Sequence, residues 1–498
     1  MRGALLRSVE LTVAVSCVSV VGAWPSVGCG SSGTGNTSSA DAGLTGHDGP
    51  TTGADEDAPS GTDASMGNAA HADAGEIDSG MYDDSSTGDA GDVGASFNPQ
   101  YPRLGAYPIG SPQNYGATDF VTIAAKYHVV IVSNYQGFSN NAMTMAQVFA
   151  AIKSQSTVGT KLFSYVNNNE TEPYTESAIV AKVTAQSWYL YPQGSSGTPV
   201  PSAYAGATEV NNTLFTKPDS NGKNWIEWYD DFRYAAFVTG DGMDTPNPNG
   251  DGFFMDNVFW EPAVNGDWNL DGVTDSDTDP TVAGWYRAGY QSHFTYIRSL
   301  WPGSLQLGNV AEWGNSNSTL GVYDQMANGG VLEGYLGDTW SFETWGGYDV
   351  MMAAYKKTMD ALAPPKLGIV GDDGAATDYQ GMRYGLGATL MDDGYYYHSS
   401  GGSYTPPPLW FDEFDSNLGY PSNTAQGARQ TASWQSGVWR RDFDNGIVLV
   451  NPKGNGAQTV SLGGSFTKLI GTQAPTVNDG STVTSVTLAD RDGIILKR

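Results

Sequence analysis

The sequence predicts a (β/α)8 TIM barrel followed by a small C-terminal antiparallel β domain. Between residues 97 and 435, short apolar runs alternate with segments whose apolar residues recur at helical spacing, which is typical of βαβ units around a parallel sheet. Eight such runs can be counted, and eight strands close this kind of barrel. After residue 436, alternating runs and turn signals indicate antiparallel strands instead.

Each strand of the barrel is predicted from an apolar run bounded by Gly, Pro or polar residues. The eight runs are 104–109, 129–133, 161–166, 252–255, 305–308, 331–335, 367–370 and 394–397. Helical spacing marks 142–153, 178–190, 284–300 and 349–362. The Pro- and Gly-rich stretch between the third and fourth runs is predicted to be an elaborated loop over the C-terminal face of the barrel, where insertions build binding sites.

The last part of the chain, 436–498, is predicted to be the small β domain. Asp444-Asn445-Gly446 is a strong hairpin-turn signal between two apolar runs. Further alternating runs at 459–462, 468–470, 483–488 and 493–496 predict additional strands of the same sheet.

The first residues resemble a targeting segment, so 1–28 is predicted to be a lipoprotein-type signal peptide. Arg2 and Arg7 give a basic start, the apolar run 11–23 is too short to span a membrane comfortably, and Ser26-Val27-Gly28-Cys29 resembles a lipoprotein box. Ser26 is a poor match to that box, and a plain secretory signal is the alternative. We therefore expect an exported protein, lipid-anchored at Cys29 to the bacterial cell envelope or surface.

Residues 29–96 are rich in Gly, Ser, Thr, Ala and Asp, and no Lys or Arg occurs between Arg7 and Arg103. Such a composition cannot bury enough apolar surface to offset the entropy of ordering, so this segment is predicted to be a disordered tether. A flexible chain of that length spans roughly 45 Å. Cys17 is the only other cysteine and lies in the leader, so neither a disulfide nor thiol chemistry is expected in the mature protein.

Composition excludes several classes of function. The formal net charge is −29, from 24 Lys and Arg against 53 Asp and Glu, which argues against a nucleic-acid partner. The sequence shows neither a Gly-rich phosphate loop after a strand nor a Cys/His metal cluster. We expect a monomer that requires no cofactor and touches the membrane only through its lipid anchor.

Two carboxylates are the main candidates for chemistry. Asp256 and Asn257 follow the fourth run, and Glu333 lies in the sixth. Side chains at nearby strand ends converge at the mouth of a barrel, and glycoside hydrolysis uses two carboxylates on opposite sides of a sugar. Burial of Glu333 would raise its pKa, as a general acid requires. The alternatives are that Asp256 caps a loop and that Glu333 pairs with an Arg such as Arg383.

Further polar and aromatic residues fall in the predicted mouth loops. Tyr and Trp rings stack on the C–H faces of sugars, and acids bind hydroxyl groups; core packing is the alternative for each ring. The candidate substrate-binding residues, besides Asn257, are Tyr135, Tyr165, Trp260, Glu312, Trp313, Tyr335 and Asp372.

One loop after the fourth run resembles a calcium loop. It places oxygen donors at alternate positions with Gly272 at the turn, although Thr278 occupies the position where a bidentate Glu is expected. A structural calcium ion is therefore a candidate, with an acidic surface turn as the alternative. The predicted ligands are Asp267, Asn269, Asp271, Val273 and Asp275.

Three separated motifs resemble the hypothetical glycosyl-hydrolase-like family fifteen: Phe253 to Val258, the segment around Glu333, and the tail 439–452. The resemblance covers roughly 102–498. More distantly, the chain is similar to α-galactosidase-type barrels, in which the nucleophilic Asp ends the fourth strand and the acid/base follows the sixth. The resemblance implies Asp256 as nucleophile and Glu333 as acid/base, whereas the long inserted loop leaves the substrate open.

We therefore expect a surface-tethered glycoside hydrolase of the retaining type, acting on an oligosaccharide or polysaccharide. Two alternatives remain. One is a carbohydrate-binding lipoprotein without catalysis on an enzyme-like barrel. The other is an inverting hydrolase with Asp256 as acid and Asp372 or Asp373 as base.

Overall fold

The computed structural model describes residues 97–109, 118–133, 139–140, 143–173, 175–204, 206–240, 246–315, 318, 320–337, 341–400 and 408–498. The predictions for the leader, for Cys29, for the tether and for Tyr135 therefore lie outside the described residues. None of the helices in these described ranges is long and apolar enough to cross a membrane.

Eight parallel strands form the predicted barrel. Neighbouring strands pair in chain order, and β1 meets β8 through a parallel bridge between Leu104 and Tyr396, where the Tyr396 amide donates to the Arg103 carbonyl at 2.9 Å. The strands are β1 Gly105–Ala106, β2 Val129–Ser133, β3 Lys161–Val166, β4 Gly252–Met255, β5 Leu305–Asn309, β6 Gly329–Val331, β7 Leu367–Gly374 and β8 Tyr395–Ser400. The predicted fold class is confirmed.

Helices cover the outside of this sheet. The four predicted helices correspond to α2, α3, α5 and α7, and 3-10 turns at Ala311–Gly314 and Leu320–Val322 lie between β5 and β6. The helices are α1 Thr118–Ala124, α2 Met145–Gln155, α3 Ser177–Gln186, α4 Trp225–Tyr234, α5 Pro280–Leu300, α6 Phe342–Gly346, α7 Tyr348–Ala361 and α8 Tyr379–Leu390.

Strand β4 is held in register at its beginning. The Asp251 carboxylate accepts hydrogen bonds from Lys153 at 2.6 Å, Lys161 at 3.0 Å and the Leu162 amide at 2.8 Å. All four residues of β4 are buried. Because Asp251 fixes the start of this short strand against β3, the side chain that follows it, Asp256, emerges at the opposite end, the C-terminal mouth of the barrel.

The sixth strand differs from its prediction. The apolar pattern predicted a strand over 331–335, but β6 is Gly329–Val331, so Glu333 lies beyond the strand rather than inside it. Backbone crowding explains the shift: a Cβ atom at Gly330 would lie 2.2 Å from the Gly308 carbonyl oxygen. Only glycine allows this close approach, and a pattern of apolar side chains cannot reveal a strand built on glycine.

The chain after residue 436 forms the predicted antiparallel sheet, in the order β9-β10-β13-β11-β12. The hairpin at Asp444 and Asn445 is confirmed. The predicted runs 459–462 and 468–470 belong largely to one strand, β11, which carries a register shift between Ser461 and Phe466. The strands are β9 Trp439–Phe443, β10 Gly446–Asn451, β11 Gln458–Lys468, β12 Thr482–Leu488 and β13 Asp492–Lys497.

The terminal sheet packs against helix α8 of the barrel. A Cβ atom at Gly387 would lie 2.5 Å from Val450, and one at Gly493 would lie 2.3 Å from the Arg383 carbonyl oxygen. Buried Arg441 donates to the Leu390 and Asp392 carbonyls at 3.1 and 2.5 Å. The boundary between 435 and 436 stays a prediction.

Candidate active site

Asp256 stands directly after β4, half-buried at the mouth of the barrel. The Tyr165 hydroxyl at the end of β3 donates to Asp256 Oδ2 at 2.5 Å, and the Asn257 amide donates to Oδ1 at 2.9 Å. Burial raises the pKa of the Asp256 carboxyl, and hydrogen bonds from Tyr165, the Asn257 amide and the Asn309 side chain oppose that rise. Both oxygens of this carboxylate are therefore oriented by donors.

Glu333 lies two residues after β6, also half-buried. The Asn309 amide nitrogen, at the end of β5, donates to Glu333 Oε2 at 2.7 Å. The same Asn309 side chain acts on Asp256 and lowers the pKa of that carboxyl, against the larger effect of burial. Asp256 and Glu333 therefore both lie beside Asn309 at the mouth of the barrel.

The alternative partner considered for Glu333 is occupied elsewhere. Arg383 forms an ion pair with Asp492 at 3.0 Å and donates to the Gly493 carbonyl, both in β13 of the terminal sheet. The interpretation of Glu333 as the buried partner of Arg383 is therefore wrong.

Asn257 is fixed at every polar group, in a left-handed backbone conformation with φ of 54°. Its side chain donates to Asn169 Oδ1 at 3.1 Å and accepts from the Tyr204 hydroxyl at 3.1 Å. Its carbonyl accepts from Tyr286 at 2.8 Å. Non-glycine residues rarely adopt this conformation, and it persists only where surrounding contacts impose it. These contacts fix Asn257 so that its backbone amide donates to Asp256.

Tyr204 brings the long insertion to the site. The negative charges that act on its phenol are those of Asp256, Glu333, Glu170 and Glu209, and burial together with these charges holds its pKa well above the usual range. Its hydroxyl stays protonated and can donate a hydrogen bond to Asn257 or to a ligand. The insertion predicted to cover the C-terminal face thus reaches both carboxylates.

Glu312 and Trp260 are placed together beside the loop that follows Asp256. Glu312 Oε2 accepts from the Trp260 amide at 3.1 Å, and burial raises the pKa of Glu312 to about 7. The Trp260 ring lies under the Arg287 guanidinium, 4.3 Å from the ring centroid. Both side chains therefore contact and stabilise the loop that follows Asp256.

Two predicted aromatic ligands lie in the core instead. Trp313 is fully buried, stacks on Tyr323 with ring centroids 4.8 Å apart and donates to the Val258 carbonyl at 2.8 Å. Tyr335 is fully buried, with its hydroxyl bonded to Thr358. Because both rings are buried, neither presents a face to a sugar. The two predictions were wrong because the sequence alone cannot separate buried rings from exposed ones.

Asp372 belongs to a buried network at the ends of β7 and β8. Its Oδ1 accepts from the Tyr396 hydroxyl at 2.8 Å and contacts His398 Nδ1 at 2.7 Å. Burial lowers the pKa of His398, but the hydrogen bond and charge of Asp372 outweigh burial and raise it overall. Asp373, in contrast, is exposed. Asp372 itself is only 6% exposed, and its carboxylate contacts Tyr396 and His398.

The candidate calcium loop is folded by its own side chains. Asp267 accepts from the backbone amides of Gly194 at 2.6 Å, Asp271 at 3.0 Å and Gly272 at 2.7 Å. Asn269 and Asp271 bond each other at 3.1 Å, and Asp275 accepts from the Trp268 amide. Among the described residues, no group of three or more His, Cys, Asp or Glu side chains is arranged to hold a metal ion. Calcium at Asp267, Asn269, Asp271, Val273 and Asp275 stays a prediction.

Sequence reasoning missed the roles of Asn309, Tyr204 and Glu209. Asn309 is the last residue of β5, and Asp256 directly follows β4, so a polar residue at the end of an apolar run was the available signal. Tyr204 and Glu209 lie inside an irregular insertion, and only its folding reveals that they approach the barrel mouth.

The chain matches the model of hypothetical glycosyl hydrolase family 15 over residues 183–447, which is more than half of its 498 residues and includes both carboxylates. No curated protein is significantly similar to it in sequence.

Among solved structures, similar ones include the glycoside hydrolase domain of PelA from Pseudomonas aeruginosa, 12% identical, covering 62% of this chain and 98% of that one with a TM-score of 0.37. Amy13B from Eubacterium rectale is 9% identical, covering 81% and 99% with a TM-score of 0.44. A GH36 α-galactosidase from Geobacillus stearothermophilus is 9% identical, covering 81% and 56% with a TM-score of 0.41. By the match of its sequence to the family model, the chain belongs to hypothetical glycosyl hydrolase family 15.

Proposed function

We propose that the protein is a retaining glycoside hydrolase in which Asp256 is the nucleophile and Glu333 the acid/base. The observation that carries this proposal is that Asn309 lies beside both carboxylates: its side-chain amide donates to Glu333 Oε2 at 2.7 Å, and its side chain also lowers the pKa of Asp256. Retaining enzymes keep their two carboxyl groups about 5–5.5 Å apart, whereas inverting enzymes need about 6.5–9.5 Å to admit a water. One asparagine beside both carboxylates favours the shorter separation.

In the first step, an Asp256 oxygen attacks the anomeric carbon while Glu333 donates its proton to the leaving glycosidic oxygen. The glycosidic C–O bond breaks and a glycosyl ester of Asp256 forms. In the second step, Glu333 removes a proton from water, the water oxygen attacks the anomeric carbon, and Asp256 leaves as a carboxylate. Tyr165 and Asn257 hold the Asp256 carboxylate in position through both steps.

The finer features of the proposal rest on the sequence. The lipoprotein-like pattern ending at Cys29 and the polar segment that follows it support a hydrolase tethered to the cell envelope and directed at oligosaccharides or polysaccharides outside the cell. The half-buried tyrosine Tyr204 and the half-buried Trp260 are the described aromatic side chains that we propose for contact with sugar.

Azide rescue tests the roles of the two carboxylates. The Glu333→Ala enzyme should lose about 100- to 10,000-fold in kcat on nitrophenyl glycosides with good leaving groups, and azide should restore turnover to a glycosyl azide of retained configuration. Asp256→Ala should be rescued to the inverted azide. Asp324→Asn, an exposed acid between β5 and β6, serves as the matched control.

Three outcomes would contradict the proposal in different ways. Inverted product from the wild-type enzyme would indicate the inverting alternative. Full activity in Glu333→Ala would exclude that residue as acid/base. If no glycan in a broad panel is cleaved, yet one binds equally well to the wild type and to the double variant, the barrel is a carbohydrate-binding protein.

A further inference from the structure

Two buried glutamates face each other at the base of the insertion. Glu170 follows β3 and Glu209 lies on the returning segment of the insertion, in the short antiparallel pair that joins Glu170–Thr171 to Thr208–Glu209, with Glu170 directly opposite Glu209. They are 4% and 2% exposed. Side chains of directly opposite residues are neighbours on one face of the pair, and like charges there are destabilising.

The groups around this pair do not compensate two negative charges. The Asn167 amide donates to Glu170 at 2.8 Å, and the Asn169 amide donates to Glu209 at 3.2 Å. The charge of Asp256 acts on Glu170, and Glu209 in turn acts on the phenols of Tyr204, Tyr286 and Tyr290. Within the described part of the chain, no Lys, Arg or His forms an ion pair with either glutamate.

Ser202 contacts Glu170 and acts on Glu209. Its hydroxyl donates to Glu170 Oε2, and Ser202 lowers the pKa of Glu209, against the larger effect of burial. A serine hydroxyl has one proton to donate, so a hydroxyl that donates to Glu170 has no proton left for Glu209. A protonated Glu209 can instead donate to the Ser202 oxygen.

We propose that Glu170 and Glu209 share one proton, bridged by Ser202, and act as a positioning pair that holds the insertion against the barrel so that Asn257 and Tyr204 stay in place beside Asp256. This inference rests on the proposed function only for its effect on catalysis. Burial supports it further, since it raises the pKa of Glu170 to about 7 and, together with the charge of Glu170, raises the pKa of Glu209 well above its usual range.

A continuous set of hydrogen bonds connects the pair to the nucleophile. Asn169 donates to Glu209 and accepts from the Asn257 side chain at 3.1 Å, and the Asn257 amide donates to Asp256 at 2.9 Å. Tyr204, two residues after Ser202, donates to the same Asn257 side chain. Loss of the shared proton would place two charges opposite each other in a dry site, push the two segments apart and release Asn257.

Hydrogen exchange of the wild-type protein and of Glu209→Gln tests the pair without any substrate. Glutamine keeps the shape and cannot lose a proton. After correction for intrinsic exchange, backbone protection of 200–210 in the wild type should fall as pH rises from the ordinary glutamate pKa of 4.5 to the raised pKa of the folded pair, by up to about tenfold per pH unit, as expected for opening coupled to release of one proton. Glu209→Gln should keep its protection over the same range. Glu170→Gln is the second variant in case the first fails to fold.

Glu413→Gln is the matched control, because Glu413 is also a buried carboxyl with a raised pKa but bonds Asn478 near the terminal sheet. This variant should show the wild-type pH response in 200–210. Equal loss of protection in the wild type and in both pair variants, or no loss in the wild type, would overturn the shared proton. These outcomes do not depend on glycosidase activity, so failure of the proposed function would leave them readable.

Once a cleaved glycoside is found, kinetics add a separate readout. The alkaline limb of kcat/KM should move to higher pH in Glu209→Gln and stay in place in Glu413→Gln. An unchanged alkaline limb in Glu209→Gln would show that the pair does not position the nucleophile, even if it holds the proton.

Discussion

Asn309 is the residue that turns two separate acids into one site. Its strand, β5, lies between β4 and β6, so its side chain stands between Asp256 and Glu333. Its neutral side-chain amide donates to Glu333 and its side chain lowers the pKa of Asp256 without adding charge. The side-chain carbonyl oxygen of Asn309 accepts from the Ala311 backbone amide at 3.3 Å. That bond fixes the rotation of the side chain and therefore the direction of its N–H groups.

Removing this side chain should slow catalysis and change its pH dependence. Asn309→Ala removes the hydrogen bond to the Glu333 carboxylate, and a hydrogen bond to a charged group is worth about 1.5–3 kcal/mol, which corresponds to roughly a 10- to 150-fold loss in kcat/KM. Because the Asn309 hydrogen bond favours the ionised form of Asp256, its loss raises the pKa of that carboxyl. The acidic limb of kcat/KM should therefore move to higher pH, as measured with any cleaved glycoside.

Asn221→Ala is the control for this variant, because Asn221 is an exposed loop residue of the insertion and its replacement should leave the profile unchanged. An Asn309→Ala enzyme with a wild-type acidic limb would show that Asn309 does not lower the pKa of Asp256 in solution.

At the scale of secondary structure, β6 positions Glu333 through backbone packing alone. Gly329 and Gly330 pass so close to β5 and β7 that added Cβ atoms would lie 2.3 Å from the Leu367 carbonyl oxygen and 2.2 Å from the Gly308 carbonyl oxygen. Because backbone atoms cannot rotate away as side chains do, any substitution must move a strand. The position of Glu333 three residues later depends on this close fit.

Gly330→Ala should therefore destabilise the protein by about 1–3 kcal/mol, the range for overpacking a close-packed interior. Gly321→Ala is the matched control: a Cβ atom there meets open space, so the change should be neutral or stabilising by up to about 1 kcal/mol through the unfolded chain. Denaturant unfolding of both variants measures the difference. Equal stabilities would mean that β6 is not packed as described.

At the scale of the whole molecule, the many acidic residues include carboxyl groups that, in the described part of the chain, are buried without a positively charged side chain beside them. Burial raises the pKa of Glu170 and of Glu312 to about 7. A group with a raised pKa in the folded state stabilises the fold fully below its unfolded pKa, near 4.5, and loses that contribution as pH rises through the folded value. These groups favour folding at mildly acidic pH.

The Glu312→Gln variant isolates one such group. A rise from 4.5 to about 7 corresponds to up to about 3 kcal/mol at roughly 1.4 kcal/mol per pH unit. The free energy of unfolding should fall less steeply between pH 4.5 and 7 in Glu312→Gln than in the wild type, by up to that amount. Parallel curves from pH-dependent denaturant titrations would show that Glu312 is solvated rather than buried.

Much of the molecule follows from local pattern. The run Gly252–Met255 predicted a buried strand with Asp256 at its end, because a strand covered on both faces reads as a continuous apolar run. Asp444 and Asn445 predicted the terminal hairpin, because the turn is specified by two residues. Such features depend on neighbours in the chain, and sequence alone determined them.

Other features depend on neighbours in space. Trp313 and Tyr335 were predicted to meet a sugar but lie in the core, since the pattern of aromatic residues is the same for a buried ring and for an exposed one. Gly330 packs against the backbone of Gly308, so an apolar pattern could not reveal the start of β6. The folding of the insertion placed Tyr204 on Asn257, next to Asp256, and Glu209 opposite Glu170. The sequence by itself determined the barrel and its first carboxylate; only the tertiary structure decided which polar groups surround that carboxylate, because residues from β3, β5, β6 and the insertion meet there through packing across the barrel.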